Sequence, residues 1–218
     1  MNHYASDLEA LFNQTFLTSH NTRLVGGNDE PLYQPSVCLN RSQDSAEIRR
    51  QLKLGRPDAR EPLNATESHI YYREDFFASA LHEVAHWCIA GEQRRKLIDY
   101  GYWYEPDGRS PSKQANFQIA ECKPQALEWI FSIICRSGFS VSIDNLQSID
   151  SLQSNDSLQT IEASHNATPF ATMVQQTVLE YCADGLPPRA QIFALALQDF
   201  YRSDCMFELA VEVPKAMS

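Results

Sequence analysis

Phe76-Phe77-Ala78-Ser79-Ala80-Leu81-His82-Glu83-Val84-Ala85-His86-Trp87-Cys88-Ile89-Ala90 is followed at once by Gly91. The apolar spacing predicts a helix over 76–90, and the glycine supplies its stop. Within it, His82 and His86 are four residues apart, so they stand on one face a turn apart and both imidazoles can reach one metal ion. Glu83 lies about 100° around the helix from His82 and cannot easily share that coordination vector. It is left free to act on a metal-bound water or to orient a ligand. The plain alternative is a helix whose histidines merely cap core positions. The flanking pattern argues against it, because the apolar face is the one that carries the histidines.

Two imidazoles rarely complete a site, and a carboxylate is the usual third ligand for both catalytic zinc and non-haem iron. Glu121 is the leading candidate, 35 residues after His86 on the next long apolar-periodic segment. Glu128, two turns further on, competes with it. Asp99 and Glu105 follow the histidines more closely and read as solvated surface charges.

Outward from this helix the chain reads as a mainly helical one. Ser6 and Glu9 form a capping box ahead of the apolar stripe Leu8, Leu11, Phe12 and Phe16. Gly26-Gly27-Asn28-Asp29-Glu30-Pro31 carries turn chemistry. Residues 38–66 are polar with scattered leucines, and predict a surface insertion with one short helix around 45–53. Ile70-Tyr71-Tyr72 predicts a short strand leading to the histidine helix. A charged helical piece is expected over 92–99. Four rings within Tyr100-Gly101-Tyr102-Trp103-Tyr104 can wall a pocket close to the histidines or pack under a loop. A long helix follows over 113–136, with a kink or a fresh start at Pro124. Two more helices are signposted, one by Thr168-Pro169 and Gly185, the other starting after Pro187-Pro188 and running to about Tyr201. Between them and the long helix, Asn145-Leu146-Gln147-Ser148, Ser151-Leu152-Gln153-Ser154 and Ser157-Leu158-Gln159-Thr160 recur every six residues. Three polar copies offer too little apolar surface to stack as a solenoid, so 145–163 reads as a mobile, repeat-like surface loop.

With 218 residues, 43% hydrophobic and 21% charged, the chain reads as one catalytic domain over 1–218, α+β but predominantly helical, with a metal site between two long helices. A net charge of -10 argues against a broad grip on nucleic acid. No apolar run approaches membrane-spanning length, and the first residues carry no export signal. Six cysteines without a CxxC pair read as reduced thiols, and the expected address is the cytoplasm.

Several stretches together resemble the elongation factor P hydroxylase family. These are Asn21-Thr22-Arg23-Leu24, Asp29-Glu30-Pro31-Leu32-Tyr33, the run from Ala78 to Gly91, Tyr102-Trp103-Tyr104-Glu105-Pro106-Asp107-Gly108-Arg109, and Lys123-Pro124-Gln125-Ala126-Leu127-Glu128-Trp129. The five-residue histidine word is shared widely; the Trp-Tyr-x-Pro-Asp-Gly-Arg and Lys-Pro-Gln-Ala-Leu segments are far more specific. The resemblance implies a metal-dependent oxygenase acting on elongation factor P whose lysine already carries β-lysine. It also implies His82, His86 and Glu121 as ligands of Fe(II), with dioxygen as substrate and Glu83 as a proton-handling or orienting group. Zinc can occupy such a site in purified protein. The rival reading is a zinc metallopeptidase in which Glu83 is the general base. A purely structural zinc fits less well, because three protein ligands leave a position open.

Overall fold

The computed structural model describes residues 3–36, 66–101, 111–142 and 169–202. In chain order these form α1 (Ala5–His20), β1 (Thr22–Asn28), β2 (Leu32–Gln34), β3 (Ser68–Arg73), α2 (Phe77–Ile89), α3 (Pro111–Cys135), α4 (Pro169–Asp184) and α5 (Pro188–Tyr201). The architecture is α+β and predominantly helical. One small sheet, in the order β1-β3-β2, has β3 at its centre, parallel to β1 and antiparallel to β2. The expected insertion over 38–66 (Thr66 apart), the aromatic run after Gly101, the six-residue repeats and Thr168 lie outside the described residues.

Ile70 and Tyr72 of β3 turn inward to the helices, as strand alternation requires. They meet Leu8, Phe12 and Phe16, the buried stripe of α1. The densest part of this core is aromatic: Phe12 lies 4.9 Å from Phe16 and 5.2 Å from Trp87, and Phe16 lies 4.8 Å from Trp87. Trp87 is on the face of α2 away from His82, so one helix is held by its aromatic side and presents its histidines on the other. Fully burying a large apolar side chain stabilises by about 1.5–3 kcal/mol, and several such rings fix the helix firmly.

Three local expectations are corrected. Ser6 and Glu9 make no capping box: α1 begins at Ala5, its cap residue is Tyr4, and no side chain caps it. Glu9 instead accepts the Gly26 N–H at 3.0 Å and the Tyr72 hydroxyl at 3.2 Å, because a tertiary pair of donors outweighs one local backbone bond. Gly26 and Gly27 are not a turn but the end of β1. Gly26 is there for closeness, since a Cβ on it would sit 2.5 Å from the Tyr72 hydroxyl oxygen. The segment over 92–99 is not a helix but part of two short 3₁₀ turns, Arg94–Lys96 and Ile98–Gly101. Its polar groups are engaged elsewhere: Arg95 donates to the Ala90 carbonyl, Arg94 to the Tyr100 carbonyl, and Asp99 accepts the Tyr33 N–H.

Helix α3 runs unbroken through Pro124, so no fresh helix starts there. The proline lacks the N–H that would meet the Ala120 carbonyl, which leaves a gap in the ladder one residue before Glu121. Helices α4 and α5 begin on prolines, and Gly185 (φ +92°) follows α4 in the left-handed conformation its end requires.

Candidate metal centre

Helix α2 spans Phe77–Ile89, with Phe76 and Ala90 as its end residues, and packs lengthwise against α3. Its C-terminal carbonyls are gathered by two arginines. Arg189 of α5 donates to the carbonyl oxygens of Trp87, Cys88 and Ala90 at 2.9, 3.0 and 2.6 Å, while its guanidinium lies 4.8 Å from the Trp87 ring centre. Arg95 donates to the Ala90 oxygen at 2.7 Å. Cations on the carbonyl end complement the helix dipole and satisfy groups with no partner inside the helix. The turn that carries His86 is thereby held from beyond.

On the opposite face of α2, His82, His86 and Glu121 converge. The two Nε2 atoms are 3.0 Å apart, and each lies 3.4 Å from the same Glu121 oxygen, Oε2. Two imidazole lone pairs cannot face each other at that distance unless a proton or a cation lies between them. The spacing suits a cation. Donors about 2.1 Å from one ion lie about 3.0 Å apart at right angles and about 3.4 Å apart at tetrahedral angles. Two nitrogens and one carboxylate oxygen, all from the protein, leave further positions open. His86 and Glu121 are buried, whereas the His82 side chain is 24% exposed, so the site has an open side.

Glu128 does not join the converging donors. Seven residues after Glu121 it returns to the same face of α3, about 10 Å along the axis. From there its Oε2 meets the other nitrogen of His82, Nδ1, at 2.8 Å. A carboxylate can only accept, so the Nδ1 carries the proton, and in the neutral ring the Nε2 is left with the lone pair that faces Glu121 and His86. Such a carboxylate–histidine pair fixes both the tautomer and the plane of a metal-binding ring. Spacing had made Glu128 a competitor for the metal. Geometry gives it the outer nitrogen.

The electrostatics match the donor set. Burial works to lower the His82 imidazolium, but hydrogen bonds and charge from Glu121 and Glu128 outweigh it and hold the group well above its ordinary range. Burial likewise works to raise Glu121, and the two imidazoles overcome it, keeping this carboxyl well below the ordinary carboxylate range. The Glu83 carboxyl is pushed up by burial, against a downward pull from His86 and His82. Glu83 is not one of the converging donors.

A helix pair that gathers two histidines and one carboxylate on a part-open face defines a candidate metal-dependent enzyme. A family model described as elongation factor P hydroxylase matches residues 56–211. The chain is also 39% identical over 210 residues to the elongation factor P lysine hydroxylase of Haemophilus influenzae, an alignment covering 96% of each chain. This chain therefore belongs to the elongation factor P hydroxylase family. Neither match lends support to the metallopeptidase alternative. Among the described residues no helix is long and apolar enough to cross a membrane.

The sequence alone gives no role to Arg189 or to the His82–Glu128 pair. A lone arginine after two prolines carries no signal of what it caps. For Tyr100 the residues offer only a place in an aromatic run that can wall a pocket close to the histidines or pack under a loop. Its place beside His86, with ring centres 6.3 Å apart and planes 8° from parallel, depends on backbone angles that the residue types do not announce.

Proposed function

We propose that this chain hydroxylates a lysine of elongation factor P that already carries a β-lysyl group, at an Fe(II) centre held by His82, His86 and Glu121. The observation that carries the reading is the convergence of two Nε2 atoms and one carboxylate oxygen in a member of this family. Nitrogen and oxygen donors on one face suit ferrous iron, and no thiolate stands among them. When bound, iron would supply the activation of dioxygen that inserting one oxygen atom into a carbon–hydrogen bond requires.

The protein's own part is to bind, orient and shield. Glu128 would fix the His82 ring by accepting the hydrogen bond from its Nδ1–H, which leaves the Nε2 lone pair to hold the ion. Arg189 and Arg95 fix the helical turn beneath His86. His86 and Glu121 are buried away from water, and the partly exposed His82 edge is the side from which a long lysine side chain can enter. Glu83 acts beside the ion rather than on it. The acidic balance of the chain favours a cationic target, and a translation factor as partner fits a cytoplasmic setting.

Mass spectrometry tests the reading. Incubation of β-lysylated elongation factor P with this protein, ferrous iron and a reductant under air should add one oxygen to the modified lysine. No gain in mass, with iron bound and elongation factor P intact, would refute it. The zinc-loaded protein should give neither hydroxylation nor peptide cleavage.

A further inference from the structure

Among the described residues, two polar groups beside the metal donors have no partner of their own. Glu83, half-buried, makes no hydrogen bond or ion pair with the described residues. Tyr100 is only 4% exposed, and among the described residues its buried hydroxyl has no hydrogen-bond partner. A buried hydroxyl left unpaired costs about 1–3 kcal/mol, so its persistence calls for a reason.

The two groups belong to one place. Residues 83 and 86 are three apart and therefore neighbours on α2. The Tyr100 ring lies parallel to that of His86, 6.3 Å away, and among nearby charges Glu83 acts most strongly on its phenol, after burial itself. The ring is held hard. It stacks on Tyr33 at 4.3 Å and 13°, and Tyr33 is anchored in turn by its hydroxyl to the Arg95 carbonyl and by its N–H to Asp99. Asp99 and Tyr100 both adopt left-handed backbone angles, φ +46° and +57°. Two such residues in a row are strained, and the contacts around them fix the strain in place.

We propose that Glu83 and Tyr100 form a subsite for an alkylammonium group of the substrate, next to the metal centre. This rests on the lysine-hydroxylase reading above and says which atoms recognise the substrate's charge. An ammonium has three N–H donors and no acceptor, while a carboxylate and a phenol oxygen both accept. The cation would complete the two groups left without partners among the described residues. A hydroxyl or amide in the same position would satisfy Tyr100 but leave the Glu83 charge unanswered. The preference is therefore for an amine.

The test uses the full chain. Metal content, the Kd of the zinc-loaded protein for β-lysylated elongation factor P, and the KM and kcat of the iron-loaded protein are compared for the parent, Glu83→Gln, Glu83→Asp and Tyr100→Phe. A lost charge-assisted hydrogen bond should raise Kd and KM about ten- to a hundredfold in Glu83→Gln, with the larger part of the loss in KM and metal content kept. Glu83→Asp should recover part of it, and Tyr100→Phe should raise both constants by a few fold. If Glu83→Gln leaves Kd and KM at the parent values and lowers only kcat, the subsite is refuted and Glu83 serves the chemistry instead. If the parent binds the modified factor in a Glu83-dependent way yet adds no oxygen, the subsite stands and the hydroxylase reading fails.

Discussion

His82 is the residue on which the centre turns, because each of its ring nitrogens has its own carboxylate. Glu121 faces Nε2 and Glu128 faces Nδ1, at 3.4 and 2.8 Å. The two glutamates should therefore fail differently. Glu121→Gln removes a charged donor, so metal should be lost almost wholly, as it should in His82→Ala and His86→Ala. Glu128→Gln keeps an acceptor for Nδ1–H but not the charge, and should weaken metal binding about 10–100-fold. Calorimetric titration with zinc or cobalt ranks these variants, and full occupancy in either histidine variant would remove the basis of the site. The pH dependence has a definite sign. In the metal-free protein His82 stays protonated well above its ordinary 6.5, so near neutral pH an entering ion must displace that proton. Apparent affinity should rise with pH up to the raised value, and fall below it. Titration at pH 7 in buffers of different ionisation enthalpy should reveal about one proton released per ion.

Helix α2 carries the histidines, but its position is set by its neighbours. Arg189→Ala would leave the Trp87 and Cys88 carbonyls without this donor and remove a cation from the Trp87 ring. Ala90 would keep only Arg95. It should cost about 1–3 kcal/mol of stability, and weaken metal binding more than a surface arginine such as Arg73 would. Chemical denaturation and metal titration of both variants check this; equal effects would mean that the cap does not reach the site. The helix itself was plain in the residues: its apolar spacing, its two histidines and Gly91 give the span to within a residue. The two proline-led helices were as legible, since proline and glycine act through their own backbone limits. What escaped the sequence was whatever depends on a distant partner. Glu9 looked like a local cap and serves Gly26 and Tyr72. The two glycines looked like a turn and are a strand end. Spacing gives Glu121 only a modest lead over Glu128, because seven residues return to the same helical face, and the position of the His82 ring is what separates them.

At the scale of the molecule, the aromatic core and the metal centre lie on opposite sides of α2, and this decides what metal removal does. Phe12, Phe16, Trp87 and Phe193 pack on one side, where no ion is needed to hold them together. On the other, the imidazoles and Glu121 already attract each other without a cation, since a protonated His82 pairs with both carboxylates. Small metal-stapled domains unfold when chelated because the ion stands in for a core. This chain has its core elsewhere. The chelated protein should keep its helical circular dichroism and unfold cooperatively. An ion bound only by the folded state adds stability by mass action, about 4 kcal/mol at a thousand times Kd. For a chain of this size that corresponds to a rise in Tm of roughly 8–16 °C. His82→Ala should unfold below the Tm of the chelated parent, because Glu121 and Glu128 lose their shared partner, and should gain nothing from added metal. Phe16→Ala should show the reverse: a loss of about 3–5 kcal/mol from the core with metal affinity little changed. Thermal scans of the three proteins, with and without metal, separate the two sides of the helix. Loss of helical signal on chelation alone would show that core and centre are not independent.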